Sequence, residues 1–476
     1  MKKYDLLKII GFVILLFVIL TWIIPGGVYV SGQFVEKGYK PIGLFSIVLA
    51  PFHFFNWMFL NKQSLPDGGV ELYSYCSIIF AFLSIGIFYK VINKTGAYGH
   101  LVEDIVKKLK NKRDSFLIYT TIFFVLFSSL TGLSLIAFLL IPFFITVLTK
   151  LKFSRITAFG STILALLIGR IAAITSYDIT GISNKIFGLT ISSEIIAKII
   201  LLVILTGVLI FYIVFTKSDA NGKEEDPLYD GVVKKEKSYS PLLFLFSIAF
   251  IVLCICMYNW YYVFDKIAIT EAYDDLMAVT VGSYPIAQNI FGTMEPFGYW
   301  TGFTMSGLLI ILSLAISFIY SLKFEDMIDS VGSGIKAMSK TAIYIILAFI
   351  IMVFLSQSDS NILFTISNWL YTNVTKAAVP LTALISGVDG FFVNDFFLIS
   401  SHIYFVAPAS GDLSLSILAA QVISGTMALI TPTSIFLVAG LAYLDIPYKK
   451  WFSYIWKLLL IILAINILVL FIVSII

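Results

Sequence analysis

The chain has 476 residues, of which 59% are hydrophobic and 13% charged, against about 45 to 50% and about 25% in soluble proteins. No soluble fold hides that much apolar surface, so lipid is the expected solvent and no sizeable soluble domain fits between the apolar stretches. The formal net charge of +4 is small, and its basic residues lie in short loops rather than in one patch with exposed aromatics, which argues against nucleic acid as a partner.

A helix needs about 20 apolar residues to cross the hydrocarbon core. Met1 to Lys8 and the apolar run Ile9 to Ile24 end in Pro25-Gly26-Gly27 without a small-residue cleavage site, so this run reads as a retained first span rather than a signal peptide. Further spans are predicted at Leu72 to Ile92, Phe116 to Thr149 with a break, Ile156 to Ile174, Ile195 to Phe215, Leu242 to Phe264, Trp300 to Leu322 and Ala342 to Leu355. Val379 to Ala407 and Ile417 to Tyr443 follow, each with a break, and then Leu458 to Ile476. Between the first two spans, the aromatic stretch Pro41 to Leu60 is expected along the membrane interface, and Trp57, Trp260 and Trp300 suit a headgroup belt.

Lysines and arginines in short loops mark the cytoplasmic side. They cluster at Lys2, Lys3 and Lys8, between Lys94 and Arg113, at Lys150, Lys152 and Arg155, and at Lys217, Lys223, Lys234, Lys235 and Lys237. Lys323, Lys336 and Lys340 come next, then Lys449, Lys450 and Lys457. The candidate outer loops hold fewer: Lys37, Lys40 and Lys62 in Val28 to Gly69, and Lys266 among the acids Glu271, Asp274, Asp275 and Glu295. All the basic loops share one side only if Phe116 to Thr149 enters and returns, and if Val379 to Ala407 does so from the opposite face. The amino terminus is then cytoplasmic, in a bacterial inner (plasma) membrane.

Two stretches, Leu72 to Thr216 and Thr341 to Ile476, repeat the same order: a span, an amphipathic helix, a broken hairpin, a broken span and a last span. They are separated in part by a cytoplasmic loop at 217–240. The amphipathic segment is basic in the first (Ala97 to Lys110) and free of basic residues in the second (Ile362 to Val374), which places them on opposite sides. The expected fold class is therefore an all-α polytopic membrane protein, one transporter domain over 1–476, with an inverted-topology repeat, two re-entrant hairpins and broken helices. Such repeats bind solute near the midplane where helices break, because irregular backbone survives there only when buried or lining a watery cavity.

The breaks supply the candidate binding residues. At the first hairpin tip these are Thr131, Gly132 and Ser134, either a tight turn or a solute contact. In the next span they are Arg170, Ser176 and Asp178. A charge such as Arg170 costs about 2.5 to 3.5 kcal/mol at mid-membrane and needs a partner. Asp178 would be about 12 Å away on a continuous helix, so pairing requires unwinding near Thr175. The second hairpin offers Asp389, Asn394 and Asp395, either solvated or solute-binding. The last broken span offers Thr431, Pro432, Thr433 and Ser434, where Pro432 removes a backbone donor and frees a carbonyl. Carboxylates outnumber Arg170 at the breaks, which leans towards a cationic or zwitterionic solute.

Cys76, Cys254 and Cys256 read as inert buried thiols. His53, His100 and His402 are isolated and read as bland, so neither a metal centre nor the acid/base cluster of a membrane-embedded enzyme is expected. A purely structural scaffold would have no use for costly broken, charged spans. The sequence has no nucleotide-binding signature, so the expected activity is secondary transport without a cofactor, with sodium or proton coupling open. The expected partners are a small-molecule solute and the lipid bilayer, with a homodimer as the candidate assembly.

Ile24-Pro25-Gly26-Gly27, Val91-Ile92-Asn93-Lys94-Thr95-Gly96-Ala97 and Ile430-Thr431-Pro432-Thr433-Ser434, with Ala439-Gly440-Leu441-Ala442, Ile446-Pro447-Tyr448 and Lys450-Trp451, resemble the YfcC family of permeases. That family is related to the anaerobic four-carbon dicarboxylate carriers of the ion transporter superfamily. The resemblance implies inverted halves with re-entrant hairpins, a scaffold against which a transport unit moves, and basic amino acids or dicarboxylates as solutes. The leading expectation is amino-acid antiport, arginine for ornithine; the alternative is a proton- or sodium-coupled dicarboxylate or organic-anion carrier. Ser176-Tyr177-Asp178-Ile179 stands where the family usually reads Asn-Pro-Phe-Thr, and Val393-Asn394-Asp395-Phe396 where it reads Pro-Ser-Gly-Ser-Gly.

Overall fold

A computed structural model describes residues 5–60, 72–219, 226–231, 237–292, 294–356, 360–406 and 412–475. The expected topology markers Lys2, Lys3, Lys62, Lys223, Lys234 and Lys235, and the span-end residues Ala407 and Ile476, lie outside the described residues.

Helix α1 (Asp5–Ile23) leads into a small hairpin, β1 (Gly27–Val30) and β2 (Gln33–Glu36), which the span pattern does not reveal. Its turn places Ser31 and Gly32 at positive φ, the backbone that tight two-residue hairpin turns require. Then come α2 (Leu44–Leu60), α3 (Leu72–Lys94), α4 (Ala97–Leu109), the antiparallel pair α5 (Arg113–Thr131) and α6 (Ser134–Lys150), and a broken span. That span is α7 (Arg155–Phe159), a π turn over Gly160–Leu164, α8 (Ala165–Ile171), a gap, a second π turn over Tyr177–Gly181 and α9 (Ile182–Phe187); α10 (Ile195–Thr216) closes the first series.

The connecting part is α11 (Ser240–Met257), α12 (Trp260–Phe264), α13 (Ala268–Met277), α14 (Ile286–Phe291) and α15 (Gly302–Ile319). The second series is α16 (Phe324–Ala348) with α17 (Ile350–Ser356), α18 (Ile362–Asn373), the hairpin α19 (Ala378–Phe392) and α20 (Phe396–Val406), the broken span α21 (Leu413–Met427) and α22 (Ile435–Tyr443), and α23 (Tyr448–Val473). Among the described residues, eight helical stretches are long and apolar enough to cross a membrane. Helix α16 begins well before the apolar run at Ala342. Ser330, Gly334, Met338 and Thr341 form a buried stripe on it, a helical period that a search for continuous apolar runs passes over.

The inversion can be read along α10. At its carboxy-terminal end the Ser154 amide donates to Ser218 at 2.9 Å, and Arg113 at the base of the α5–α6 hairpin pairs with Asp219 at 2.6 Å. Arg113 also donates to the Leu151 carbonyl at 3.4 Å, so both feet of that hairpin stand together. At the amino-terminal end of α10, Glu194 accepts from the Ser414 hydroxyl at 2.7 Å, next to the foot of the α19–α20 hairpin and α21. A 22-residue helix is about 33 Å long, close to the hydrocarbon thickness of about 30 Å. The two hairpins therefore enter from opposite faces.

The scaffold is α3 packed between α15 and α16. Small residues let the backbones touch: a Cβ on Gly86 would stand 2.5 Å from the Gly334 carbonyl oxygen, and one on Gly302 2.5 Å from that of Ser77. The other bundle joins α5 to α8, α8 to α21 and α21 to α19, so the two hairpins and two broken spans form one body. Cys76 and Cys256 are buried free thiols, and Cys254 is half-buried.

Candidate functional site

Each hairpin tip is tied to the break in the span that follows it. In the first series, the Ser129 carbonyl takes the amides of Ile174 (2.9 Å) and Thr175 (3.3 Å), Ser129 Oγ donates to Ala172 (2.6 Å) and Thr175 Oγ1 donates to Leu130 (2.6 Å). In the second, Thr431 and Thr433 donate to the Phe391 carbonyl at 2.6 and 3.2 Å. The unwound backbone thus finds partners in protein, as its depth requires. Of the hydroxyls expected to meet solute, those of Thr431 and Thr433 are spent on these ties. Thr131 returns its proton to Phe127 at 2.6 Å, and buried Ser434 precedes α22 with its amide on Thr431.

Arg170 and Asp178 are brought together because α8 stops at Ile171 and the chain turns back before the π turn at Tyr177. Their side chains are 14% and 20% exposed and form an ion pair; Ser176 donates to the other carboxylate oxygen, and Ser134 Oγ accepts from Arg170 at 3.4 Å. The guanidinium also lies 6.0 Å from the Phe436 ring of α22, within cation–π range. Gly132 caps the first tip at φ 71°; a Cβ there would stand 2.2 Å from Asp178 Oδ1. Four predicted residues of the first series, Gly132, Ser134, Ser176 and Asp178, therefore converge on Arg170.

Arg170 also reaches the second series. With Ile179, Asn394, Phe396, Ser424 and Gly425 it lines a cavity of about 10 Å³, on the order of the room one water needs. Asn394 Nδ2 donates to the Ser424 carbonyl at 3.0 Å. Gln421, absent from the sequence prediction, donates to the carbonyls of both Ile171 and Ala173 at 3.1 Å and so clasps the broken end of α8.

Asp389 and Asp395 do not line this cavity. Asp395 accepts from Tyr75 of the scaffold at 2.7 Å and caps α20 through the Leu398 amide at 3.0 Å. Asp389, 2% exposed, is neither solvated nor at the tip: His402 Nδ1 lies 2.7 Å from its Oδ2, and the histidine read as bland is itself buried. Each of the three carboxylates counted at the breaks already has a partner within the protein. Pro432 lies between two helices rather than kinking one. The carbonyls of Leu429 and Ile430 in that break are taken by Trp451 Nε1 (2.9 Å) and the Tyr448 hydroxyl. Tyr75 and Gln421 were legible only as an aromatic and an amide residue in apolar runs, a weak signal, and Tyr448 and Trp451 only as members of the motif that carries the family resemblance.

Two solved structures align over nearly the full chain. The Alcanivorax borkumensis YdaH transporter, described as having an unusual topology, is 12% identical with a TM-score of 0.40 over 99% of this chain and 98% of its own. Neisseria gonorrhoeae MtrF, described with a class of antimetabolite efflux pumps, is 13% identical with a TM-score of 0.37 over 97% and 94%. No curated protein matches the sequence. The sequence model of the C4-dicarboxylate anaerobic carrier family, DcuC, matches residues 4–475. The chain is a multi-pass membrane protein of the secondary-transporter type, and it belongs to the DcuC family of C4-dicarboxylate anaerobic carriers.

Proposed function

We propose that the chain carries a small carboxylate-bearing solute, of the four-carbon dicarboxylate class that its family's description names, with Arg170 as the anion anchor. The observation that supports this is the cavity between the two series: among its lining residues Arg170 is the one charged side chain, beside the neutral Asn394 and Ser424. In this reading the Asp178 carboxylate occupies Arg170 until a solute carboxylate replaces it, so the guanidinium always has a charge-assisted partner. Thr131, Gly132, Ser134 and Ser176 shape the first wall of the site, and Thr431 to Ser434 hold the second tip. With room for about one water, the tips must part to admit solute, as in alternating access.

The amino-acid reading, arginine/ornithine exchange included, rests on one feature. A zwitterion could split the Arg170–Asp178 pair, its carboxylate going to Arg170 and its ammonium to Asp178. In either case the hairpins and broken spans of the repeat cores 72–216 and 341–476 form the moving unit against the α3–α15–α16 scaffold, with the loop 217–240 and the amino terminus on the cytoplasmic side of the inner membrane.

Counterflow in proteoliposomes separates the two, with labelled succinate against internal succinate and labelled arginine against internal ornithine. For a dicarboxylate carrier, Arg170→Ala should weaken succinate affinity at least about tenfold, while Asp178→Asn, which removes the competitor, should preserve or strengthen it. For a zwitterion carrier both substitutions weaken affinity. Succinate counterflow unaffected by Arg170→Ala would remove the anchor role.

A further inference from the structure

The carrier reading leaves the energy source unassigned, and the second hairpin holds an acid–base pair that the solute cavity does not use. Asp389 Oδ2 and His402 Nδ1 are 2.7 Å apart, with side chains 3% and 4% exposed. Among the described residues no donor reaches the second carboxylate oxygen, Asp389 Oδ1, and the buried hydroxyls of Ser386 and Ser400 also lack a partner. Ser386 and His402 lie eight residues along the chain from the turn residue Asn394, Asp389 five and Ser400 six, so in an antiparallel hairpin all four fall within about one helical turn of the same depth. Three buried polar atoms left open around a carboxylate are uncommon; such atoms are nearly always satisfied unless they have another role.

We propose that Asp389 and His402 form a proton-binding site inside the second hairpin, and that its proton couples transport to the pH gradient; this rests on the carrier reading above. Deprotonated Asp389 beside neutral histidine is a net charge in a dry site, a state that costs several kcal/mol unless compensated. One proton, added to Asp389 Oδ1 while Oδ2 keeps the His402 Nδ1–H bond, neutralises the pair. The hairpin is then packed as described here when the proton is on, and returns the proton to water when the hairpin opens.

The surrounding elements supply no competing charge. Helix α21 has no titratable side chain, and α18 brings the Phe364 ring to 4.3 Å from the imidazole and carries only Tyr371. On α20 the other titratable residue is Tyr404. Tyr29 of β1 packs on Phe405, Lys185 of α9 is bonded to the Tyr262 hydroxyl, and Asp178 of the π turn, next to Tyr177, is paired with Arg170. A hard cation such as sodium prefers an all-oxygen shell, and here one position is an imidazole nitrogen.

The test uses the purified full-length protein in two assays. In proteoliposomes, labelled succinate uptake is driven by an imposed pH gradient, alongside a trapped pH dye and succinate counterflow. Separately, infrared difference spectra are recorded against pH with no solute present. The expected result is a titrating carboxylic-acid band in the wild type that Asp389→Asn abolishes and His402→Gln shifts, with gradient-driven uptake and proton flux lost in Asp389→Asn while counterflow persists. Gradient-driven uptake retained in Asp389→Asn, or uptake that requires sodium without proton flux, would overturn the assignment. If the wild type moves no succinate, the solute reading fails by itself, and the infrared titration still decides the proton site: a band unchanged by Asp389→Asn sinks it.

Discussion

Gly169 precedes Arg170 and marks the closest approach of α8 to the first hairpin. A methyl group placed on it would stand 2.3 Å from the Val125 carbonyl oxygen, 2.8 Å from Ser128 Cβ and 3.1 Å from the Ser129 amide nitrogen. Two of these atoms are backbone, so they cannot swing aside as the end of a side chain can, and α5 must retreat by about 1 Å, an overpacking that typically costs about 1 to 3 kcal/mol. The retreat also pulls on Ser129, which holds three of the four hydrogen bonds between tip and break, each worth about 1 kcal/mol. Gly169→Ala should therefore lose about 3 kcal/mol of stability and disable transport by moving the tip off Arg170. Gly207→Ala is the matched control. It lies within α10 with nothing within 4 Å of the added methyl, and should be neutral or stabilising by up to about 1 kcal/mol. Unfolding in detergent, followed by tryptophan fluorescence, and uptake in proteoliposomes report both effects. If Gly169→Ala matches Gly207→Ala in stability and uptake, the close approach does not position the site.

Tyr75 and Asp395 join the scaffold to the second tip, and a double-mutant cycle should show it. Tyr75→Phe leaves a half-buried carboxylate short of a donor and should cost about 1 to 3 kcal/mol, whereas Tyr75→Phe with Asp395→Asn should cost clearly less than the sum of the singles; additive losses in the same unfolding assay would deny the link. Asp226, outside the membrane-spanning helices, is buried where the connection between α10 and α11 docks. It accepts from Tyr443, from Thr146 at 2.7 Å and from the Leu228 amide at 2.8 Å. Burial raises its pKa above the ordinary 3.8, against those hydrogen bonds and Lys90, which lower it. A raised docked-state pKa means that docking is strongest below about 3.8 and weakens as pH rises through the raised value. Spin-label mobility at position 227 should increase over that window, and Asp226→Asn should flatten the dependence; a pH-independent wild type would refute it.

Those features of the fold that depend on neighbours in sequence were legible before the structure. Serines, a threonine and a glycine interrupting the apolar run at 128–134, or a proline among hydroxyls at 430–434, declare a break because no lipid-facing helix has use for them. The Arg170–Asp178 pair was legible as a demand: a mid-membrane guanidinium needs a carboxylate, and the helix must unwind for Asp178 to reach it. What failed were inferences that needed a partner's identity. Counting carboxylates could not show that Tyr75 of the scaffold, far away in sequence, holds Asp395, or that His402 holds Asp389 across the hairpin turn. Gln421 was invisible for the same reason, since its acceptors are the carbonyls of a helix end in the other half of the chain.

The bonds that must break for solute to enter are few, and they are not those that join the halves. Opening the first tip from its break loses four hydrogen bonds, about 4 kcal/mol at about 1 kcal/mol each, and opening the second loses those of Thr431, Thr433 and Asn394, about 3 kcal/mol on the same scale. Separating α8 from α21 would instead undo Gln421's clasp and the contact at Gly425, where a Cβ would stand 3.0 Å from the Ile171 Cα, a backbone packing with no small increment of motion. Opening both tips together would thus lose about 7 kcal/mol on this scale, and opening either alone about half of that. In the proposed carrier one tip therefore opens at a time, each to its own face, while α8 and α21 stay clasped beside Arg170, and that sequence of openings is what would separate a carrier from a channel.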